Sequence, residues 1–287
     1  MQELESNLKI AELLEDKHIP SPYLEYIELI LISISSIYQE KDISNLISKT
    51  NFIFNTTNII KDQIKGYKNE KALTKTNIDN ELNITYTIII NTDYQATTYQ
   101  IIEFISHELN NIYCSLKQTF IKKDNELLFH NGLFVSNLNN SKNYGKTLNE
   151  VYNSYQTEKI IEQIKSIDPL TIDDKLYKTV TELNNSIPKH IKSPRYPNEV
   201  ALFREFLSNE QIKKIVDNNI KNGNVLVIEE IFNSILGKDS YQSLNNKLDE
   251  LSDYLHKSKK LKVREISILN CEIRNIIQNF TKNYKEA

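Results

Sequence analysis

The sequence predicts an α+β protein that is mostly α-helical. One run of β-branched and aromatic residues, at 84–90, has the composition of a buried strand. Apolar residues elsewhere recur at intervals of three and four, which is the spacing of amphipathic helices. Two such segments near the C-terminus, 244–258 and 263–283, are long enough to be extended helices. We therefore expect a small sheet accompanied by many helices.

The first part of the chain is predicted to be helical, from Glu3 to about Lys65. Its most apolar stretch, between Leu24 and Ile37, has the pattern of a buried helix. The polar segment 65–80 contains Gly66 and suits a loop or a hairpin. The strand 84–90 follows it.

A helix is predicted next, from about Ala96 to Gln118, and its apolar positions recur at helical spacing. Two short apolar segments around Asn125 and Gly132 indicate a hairpin. A second helix, 147–167, begins with a capping-box pattern in which Thr147 is the N-cap and Glu150 is the acid three residues on.

Three regions follow from these elements. Residues 1–75 form an N-terminal helical region, 76–167 form a core with the strand and two helices, and 168–287 form a helical C-terminal lobe. A segment broken by prolines, 187–197, leads into the last helices.

Composition limits the classes of function. The net charge of −3 does not indicate a nucleic-acid surface. No apolar run is long enough to span a bilayer, and the acidic N-terminus lacks the order of a signal peptide. Cys114 and Cys271 form neither a disulfide framework nor a CxxC metal pair. We expect a cytoplasmic protein without a nucleic-acid or membrane partner.

The segment from His107 to Asn111 carries most of the functional information. A helix with H-E-x-x-H presents two imidazoles at positions i and i+4 to one Zn²⁺, and its Glu acts as general base for the metal-bound water. Here His107 and Glu108 are present, but Asn111 stands where the second His is needed. Activity therefore depends on that position.

The order of elements resembles the gluzincin branch of the zincin metallopeptidases. A strand precedes the His107-Glu108 helix, and about forty residues later a second helix opens with Asn149-Glu150. The resemblance covers roughly residues 84–167 and implies a zincin-like core, a small sheet plus an active-site helix. It implies that His107 is the first zinc ligand, Glu108 the general base and Glu150 the third ligand.

The resemblance fails at two positions. Asn111 replaces an imidazole, and Ser154 stands where such families commonly place an acid that orients a ligand imidazole. An amide oxygen is a hard, neutral ligand that suits Ca²⁺ or Mg²⁺ better than Zn²⁺. His130 could serve as a substitute ligand, and Cys114 is a weaker candidate. The implied cofactor is zinc, if any metal is bound.

Three hypotheses remain open. In the first, the protein is a catalytically inactive zincin-like protein that binds a peptide or protein along the strand 84–90 by strand addition. In the second, it is an active zinc-dependent peptidase with an altered ligand set. In the third, His107-Glu108 is a chance dipeptide, Glu150 serves only as the capping-box acid, and the protein is an unrelated helical interaction protein.

Overall fold

The computed structural model describes residues 2–40, 43–65, 67, 70–81, 83–117, 119–123, 126–137, 143–186, 196–222, 226–257 and 262–286. The predicted class, a mostly helical α+β protein, is confirmed. Within the described residues no helix is both long and apolar enough to cross a membrane.

Helices account for most of the described chain. They are α1 (Gln2–Glu15), α2 (Tyr23–Tyr38), α3 (Ser44–Lys49), α4 (Thr57–Gln63), α5 (Thr98–Ser115), α6 (Lys146–Lys165), α7 (Asp174–Ser186), α8 (Pro197–Leu207), α9 (Glu210–Asn222), α10 (Leu226–Leu236), α11 (Ser240–His256) and α12 (Val263–Glu286). The strands are β1 (Thr50–Asn55), β2 (Ala72–Ile78), β3 (Ile84–Asn91), β4 (Thr119–Lys123), β5 (Glu126–Asn131), β6 (Phe134–Asn137) and β7 (Asn143–Tyr144).

The chain divides into two compact units. Unit 1 comprises residues 1–113 and 156–191, and unit 2 comprises residues 114–155 and 192–287. The division falls near the end of α5 and within α6, so each of these helices contributes residues to both units.

Unit 1 contains a three-stranded mixed sheet in the order β1-β3-β2. Strand β3 is parallel to β1 and antiparallel to β2, so it is hydrogen-bonded on both sides. The predicted strand 84–90 is confirmed as β3. Residues 86–91 of β3 are all buried, and a strand covered on both faces has no need to alternate apolar and polar residues.

Strand β1 corrects the prediction that residues 3–65 are entirely helical. The segment Thr50–Asn55 pairs residue by residue with β3, from Thr50 opposite Tyr86 to Asn55 opposite Asn91. Aromatic side chains at Phe52 and Phe54 suit a pleated surface. The segment 65–80, expected as a loop or hairpin, supplies β2, which forms a hairpin with β3.

Helix α2 supplies much of the core of unit 1. Five of its aliphatic residues are at most 1% exposed: Ile27, Leu29, Ile30, Leu31 and Ile34. The sheet adds Ile88, and α5 adds Ile102, Ile105 and Leu109. The buried helix predicted for this segment is confirmed.

Unit 2 contains a four-stranded antiparallel sheet in the order β4-β5-β6-β7, together with α8 to α12. Its helical core is rich in aromatic side chains. The rings of Phe232 and Phe280 stack with centroids 4.0 Å apart, and Phe203, Phe206 and Tyr241 surround them. The long C-terminal helices predicted from periodicity are confirmed as α11 and α12.

Candidate functional site

Helix α5 places His107, Glu108 and Asn111 in unit 1. Its apolar positions Ile105 and Leu109 are about 1% exposed and hold one side of the helix in the core. His107 is 5% exposed and Glu108 is 6% exposed, so both polar side chains are also buried. Burial of two such groups in one turn is costly unless each has partners.

Glu108 bonds to the sheet. The Thr74 hydroxyl of β2 donates a hydrogen bond of 2.7 Å to Glu108 Oε2. This contact places the His107-Glu108 turn beside the outer strand of the sheet. A hydrogen bond from a hydroxyl to a carboxylate is charge-assisted and is stronger than one between two neutral groups.

A second buried hydrogen bond orients α5. The Tyr38 hydroxyl at the end of α2 donates to Asn110 Oδ1 at 2.8 Å, and Asn110 is fully buried. The Tyr38 ring also stacks on Tyr113, with centroids 4.3 Å apart. These contacts join α5 to α2 at positions two and five residues after Glu108.

An acidic cluster lies at the start of α5 and extends to α6. Glu103 is 6% exposed and Glu158 is 5% exposed. Burial raises the pKa of Tyr99 well above its usual range, and the carboxylates of Glu103 and Glu158 raise it further. Tyr99 therefore stays a neutral phenol beside two buried acids throughout the physiological range.

Asn149 of α6 has a structural role in unit 2. Its side-chain oxygen accepts a hydrogen bond of 3.0 Å from the backbone N–H of Leu133, in the turn between β5 and β6. Gly132 in this turn has φ +59, and a Cβ there would overlap Asn149 Oδ1. The turn therefore needs glycine both for its backbone angle and for the approach of Asn149.

The predicted capping box at Thr147 is wrong. Helix α6 begins at Lys146, and the carbonyl of Gly145 accepts the N–H of Asn149, so Thr147 lies inside the first turn. The Thr147 N–H is bound by the Asp249 carboxylate of α11 at 3.0 Å. Asp249 supplies the cap from a distant part of the sequence, and Glu150 is not the acid of a capping box.

The remaining predicted residues lie in unit 2. Glu150 is half-buried in the first turns of α6, and Ser154 is 2% exposed one turn later. The Ser154 hydroxyl has no hydrogen-bond partner in the described part of the chain. His130 lies in β5, but its side chain is outside the described residues.

The described residues do not include a group of donors that fits zinc. Catalytic zinc sites use three protein ligands and structural sites use four. Across the described residues, no three or more His, Cys, Asp and Glu side chains are grouped so that they could hold a metal ion. Asn111 adds only a neutral amide to α5.

Among the described residues, the outer strands available for strand addition are β1 and β2, not β3, and β2 is the one that is bonded to Glu108. The prediction that a partner adds a strand along residues 84–90 is wrong, because β3 is already paired with β1 on one edge and with β2 on the other. The Asn91 N–H donates to the Lys71 carbonyl and the Asp79 N–H donates to the Asn83 carbonyl. Odd-numbered residues of β2 therefore bond to β3, and even-numbered residues such as Thr74 and Thr76 direct their N–H and C=O to the free edge.

Sequence patterns did not identify Thr74 as part of the site. The residue lies in a polar segment, and only the pairing of β2 with β3 brings it to Glu108. The segment Ala72–Ile78 has four consecutive polar residues, from Thr74 to Asn77, and no alternation of apolar and polar residues that would have indicated a half-buried strand.

No protein-family model matches the chain, and neither the curated proteins nor the solved structures include a significant match.

Proposed function

We propose that this protein is a zincin-like scaffold with a degraded zinc site, which binds an extended peptide or protein segment and does not hydrolyse it. The observation that carries the proposal is the bond from Thr74 to Glu108, which joins the His107-Glu108 turn to a sheet edge. The gluzincin resemblance implies a sheet-edge strand beside the helix with this dipeptide, and it gave that place to residues 84–90; we propose that β2 takes it instead. It also argues against a chance His-Glu pair on an isolated helix.

The ligand chemistry supports loss of hydrolysis. Asn111 offers a neutral oxygen where an imidazole is needed, and Ser154 offers a hydroxyl where an orienting acid is expected. Each change would weaken zinc binding, since loss of an orienting partner alone costs about 10–100-fold in metal affinity. Glu108, bonded to Thr74, has a structural use that retains it without a metal.

The free edge of β2 supports peptide binding. Thr74 and Thr76 present backbone donors and acceptors at this edge, and an extended peptide can satisfy them by strand addition. The same edge lies next to α5, so a bound segment would run beside Glu108.

Binding can be tested with a displayed library of random twelve-residue peptides. We expect enrichment of extended sequences on the wild-type protein and loss of binding in Thr76→Pro, which removes one outward N–H without breaking the ladder to β3. Thr76→Val retains the N–H and is the matched control. Enriched peptides that bind Thr76→Pro as tightly as Thr76→Val would contradict strand addition at this edge.

Hydrolysis is tested separately. Wild-type protein purified without added metal should contain substoichiometric zinc and should leave the same peptides intact. Stoichiometric zinc together with cleavage that disappears in Glu108→Gln would favour the active peptidase with an altered ligand set.

A further inference from the structure

The sheet of unit 1 has a second face, and it carries a recess of about 400 Å³. Successive side chains of a strand point to opposite faces. Thr74 reaches Glu108 on the side of α5, so its neighbour Lys75 points to the other side, where it lines the recess. The volume falls within the range of about 300–1,000 Å³ found for small-molecule sites.

Three isoleucines form the apolar part of the recess. Ile53 of β1 and Ile89 of β3 belong to neighbouring strands, and Ile64 follows the last turn of α4. Ile89 is 4% exposed, whereas Ile53 is 37% exposed. The sheet therefore offers an apolar floor that α4 covers only in part, and an apolar group bound there would remove the exposed area of Ile53 from water.

The polar lining consists of Lys75 and three uncharged side chains, Gln63, Asn77 and Thr87. The Asn77 amide donates to Thr87 Oγ1 at 2.9 Å, which holds both side chains in place. Gln63 Oε1 accepts from Asn55 at 3.4 Å, so the Gln63 N–H groups are the part of that amide able to serve a ligand. Among the described residues that line the recess, none is acidic and Lys75 carries a positive charge.

We propose that this recess binds a small amphipathic carboxylate. The apolar part of the ligand lies on Ile53, Ile64 and Ile89, and its carboxylate pairs with the Lys75 ammonium. In the described lining the charged side chain is a cation, so a singly charged anionic head group complements it. The site lies on the opposite face of the sheet from Glu108 and does not depend on the function proposed for that residue.

Isothermal titration of the full chain tests the proposal with two linear probes that have the same number of carbon atoms and opposite charges. Octanoate carries the predicted charge, and octylammonium carries the opposite charge. We expect saturable binding of octanoate at one site and binding of octylammonium weaker by roughly tenfold or more, as for a lost charge-assisted hydrogen bond. Absence of saturable octanoate binding, or equal affinity for the two probes, would overturn the proposal.

Two substitutions assign the binding to this recess. Lys75→Met should weaken octanoate binding by roughly tenfold, and Ile53→Ser should weaken it through loss of apolar contact. The matched control is Lys61→Met on α4, which removes an exposed lysine outside the lining and should leave the affinity unchanged. Thermal melting of each variant distinguishes lost binding from lost folding. Equal octanoate affinity in folded Lys75→Met and Lys61→Met would overturn the assignment.

Discussion

Thr74 Oγ1 lies 2.7 Å from Glu108 Oε2 and donates a hydrogen bond to it. The two residues are 34 positions apart, and their bond joins the outer strand β2 to the His-Glu turn of α5. Glu108 is 6% exposed, so this donor replaces part of the solvation that the carboxylate loses on folding.

Removal of the Thr74 hydroxyl is predicted to destabilise the protein. Thr74→Val keeps the shape of the side chain but leaves Glu108 without this donor, which should cost about 1–3 kcal/mol in the free energy of unfolding. Thr76→Val, at an exposed position of the same strand, is the control and should change it little. Urea denaturation measures both. Equal stabilities of the two variants would contradict a structural role for the hydrogen bond.

The turn at Gly132 is predicted to depend on Asn149. Gly132→Ala must adopt φ near +59 and displace the Asn149 carboxamide, so we expect a loss of about 2 kcal/mol or more. In an Asn149→Ala background the clash is absent, and the same substitution should cost measurably less. A double-mutant cycle by thermal denaturation gives the coupling. A coupling energy of zero would show that the methyl group introduced at position 132 does not contact the Asn149 side chain.

The Ser154 hydroxyl is predicted to contribute nothing to stability. It is buried without a partner in the described residues, so Ser154→Ala should be neutral or stabilising by up to about 1 kcal/mol. Ser33 is the matched control, because it is equally buried but donates to the Leu29 carbonyl at 2.9 Å. Chemical denaturation should show a loss only for Ser33→Ala. A clear loss in Ser154→Ala would reveal a partner for its hydroxyl.

Titration of Glu28 is predicted to make the free energy of unfolding depend on pH. Burial, then the carboxylates of Asp173 and Glu25, raise the pKa of Glu28 from 4.5 to about 7. Between these values the folded chain holds a proton that the unfolded chain releases. The contribution of Glu28 to the free energy of unfolding is fully present below about pH 4.5, and it is lost as the pH rises through about 7.

Glu28→Gln should therefore exceed the wild type in stability at pH 8, by on the order of 1 kcal/mol after allowance for solvent screening. The difference should vanish near pH 4.5. Thermal melting at several pH values measures it. Glu12→Gln removes one carboxylate from an exposed position of α1 and controls for net charge. If the Glu28→Gln variant were more stable than the wild type at pH 4 as well as at pH 8, the raised pKa of Glu28 could not be the cause.

Local patterns predicted the elements better than their pairing. The run 84–90 identified β3, and helical periodicity identified α5, α11 and α12, because these signals lie within each segment. The short strand β1 was not recognised, since its six residues directly follow α3 without a turn signal. Its identity as a strand depends on hydrogen bonds to β3, which is distant in the sequence.

The candidate site was predictable only in part. The pattern of His107, Glu108 and Asn111 is local to one helix. Thr74 meets Glu108 through the order of the strands, and Asp249 caps α6 from 102 residues away. The choice of β3 as the binding edge overlooked that a strand without polar alternation is typical of the centre of a sheet.

The zinc affinity of Asn111→His tests the central claim most directly. Competition with a chromogenic chelator measures it, with Asn111→Ala as control and with His107→Ala added to Asn111→His to show that both imidazoles are used. If the site is a degraded one on an intact scaffold, Asn111→His should bind zinc roughly 100-fold more tightly than the wild type, and the gain should disappear without His107. Wild-type protein that already binds stoichiometric zinc as tightly as Asn111→His would contradict the claim, and so would an Asn111→His variant with no gain.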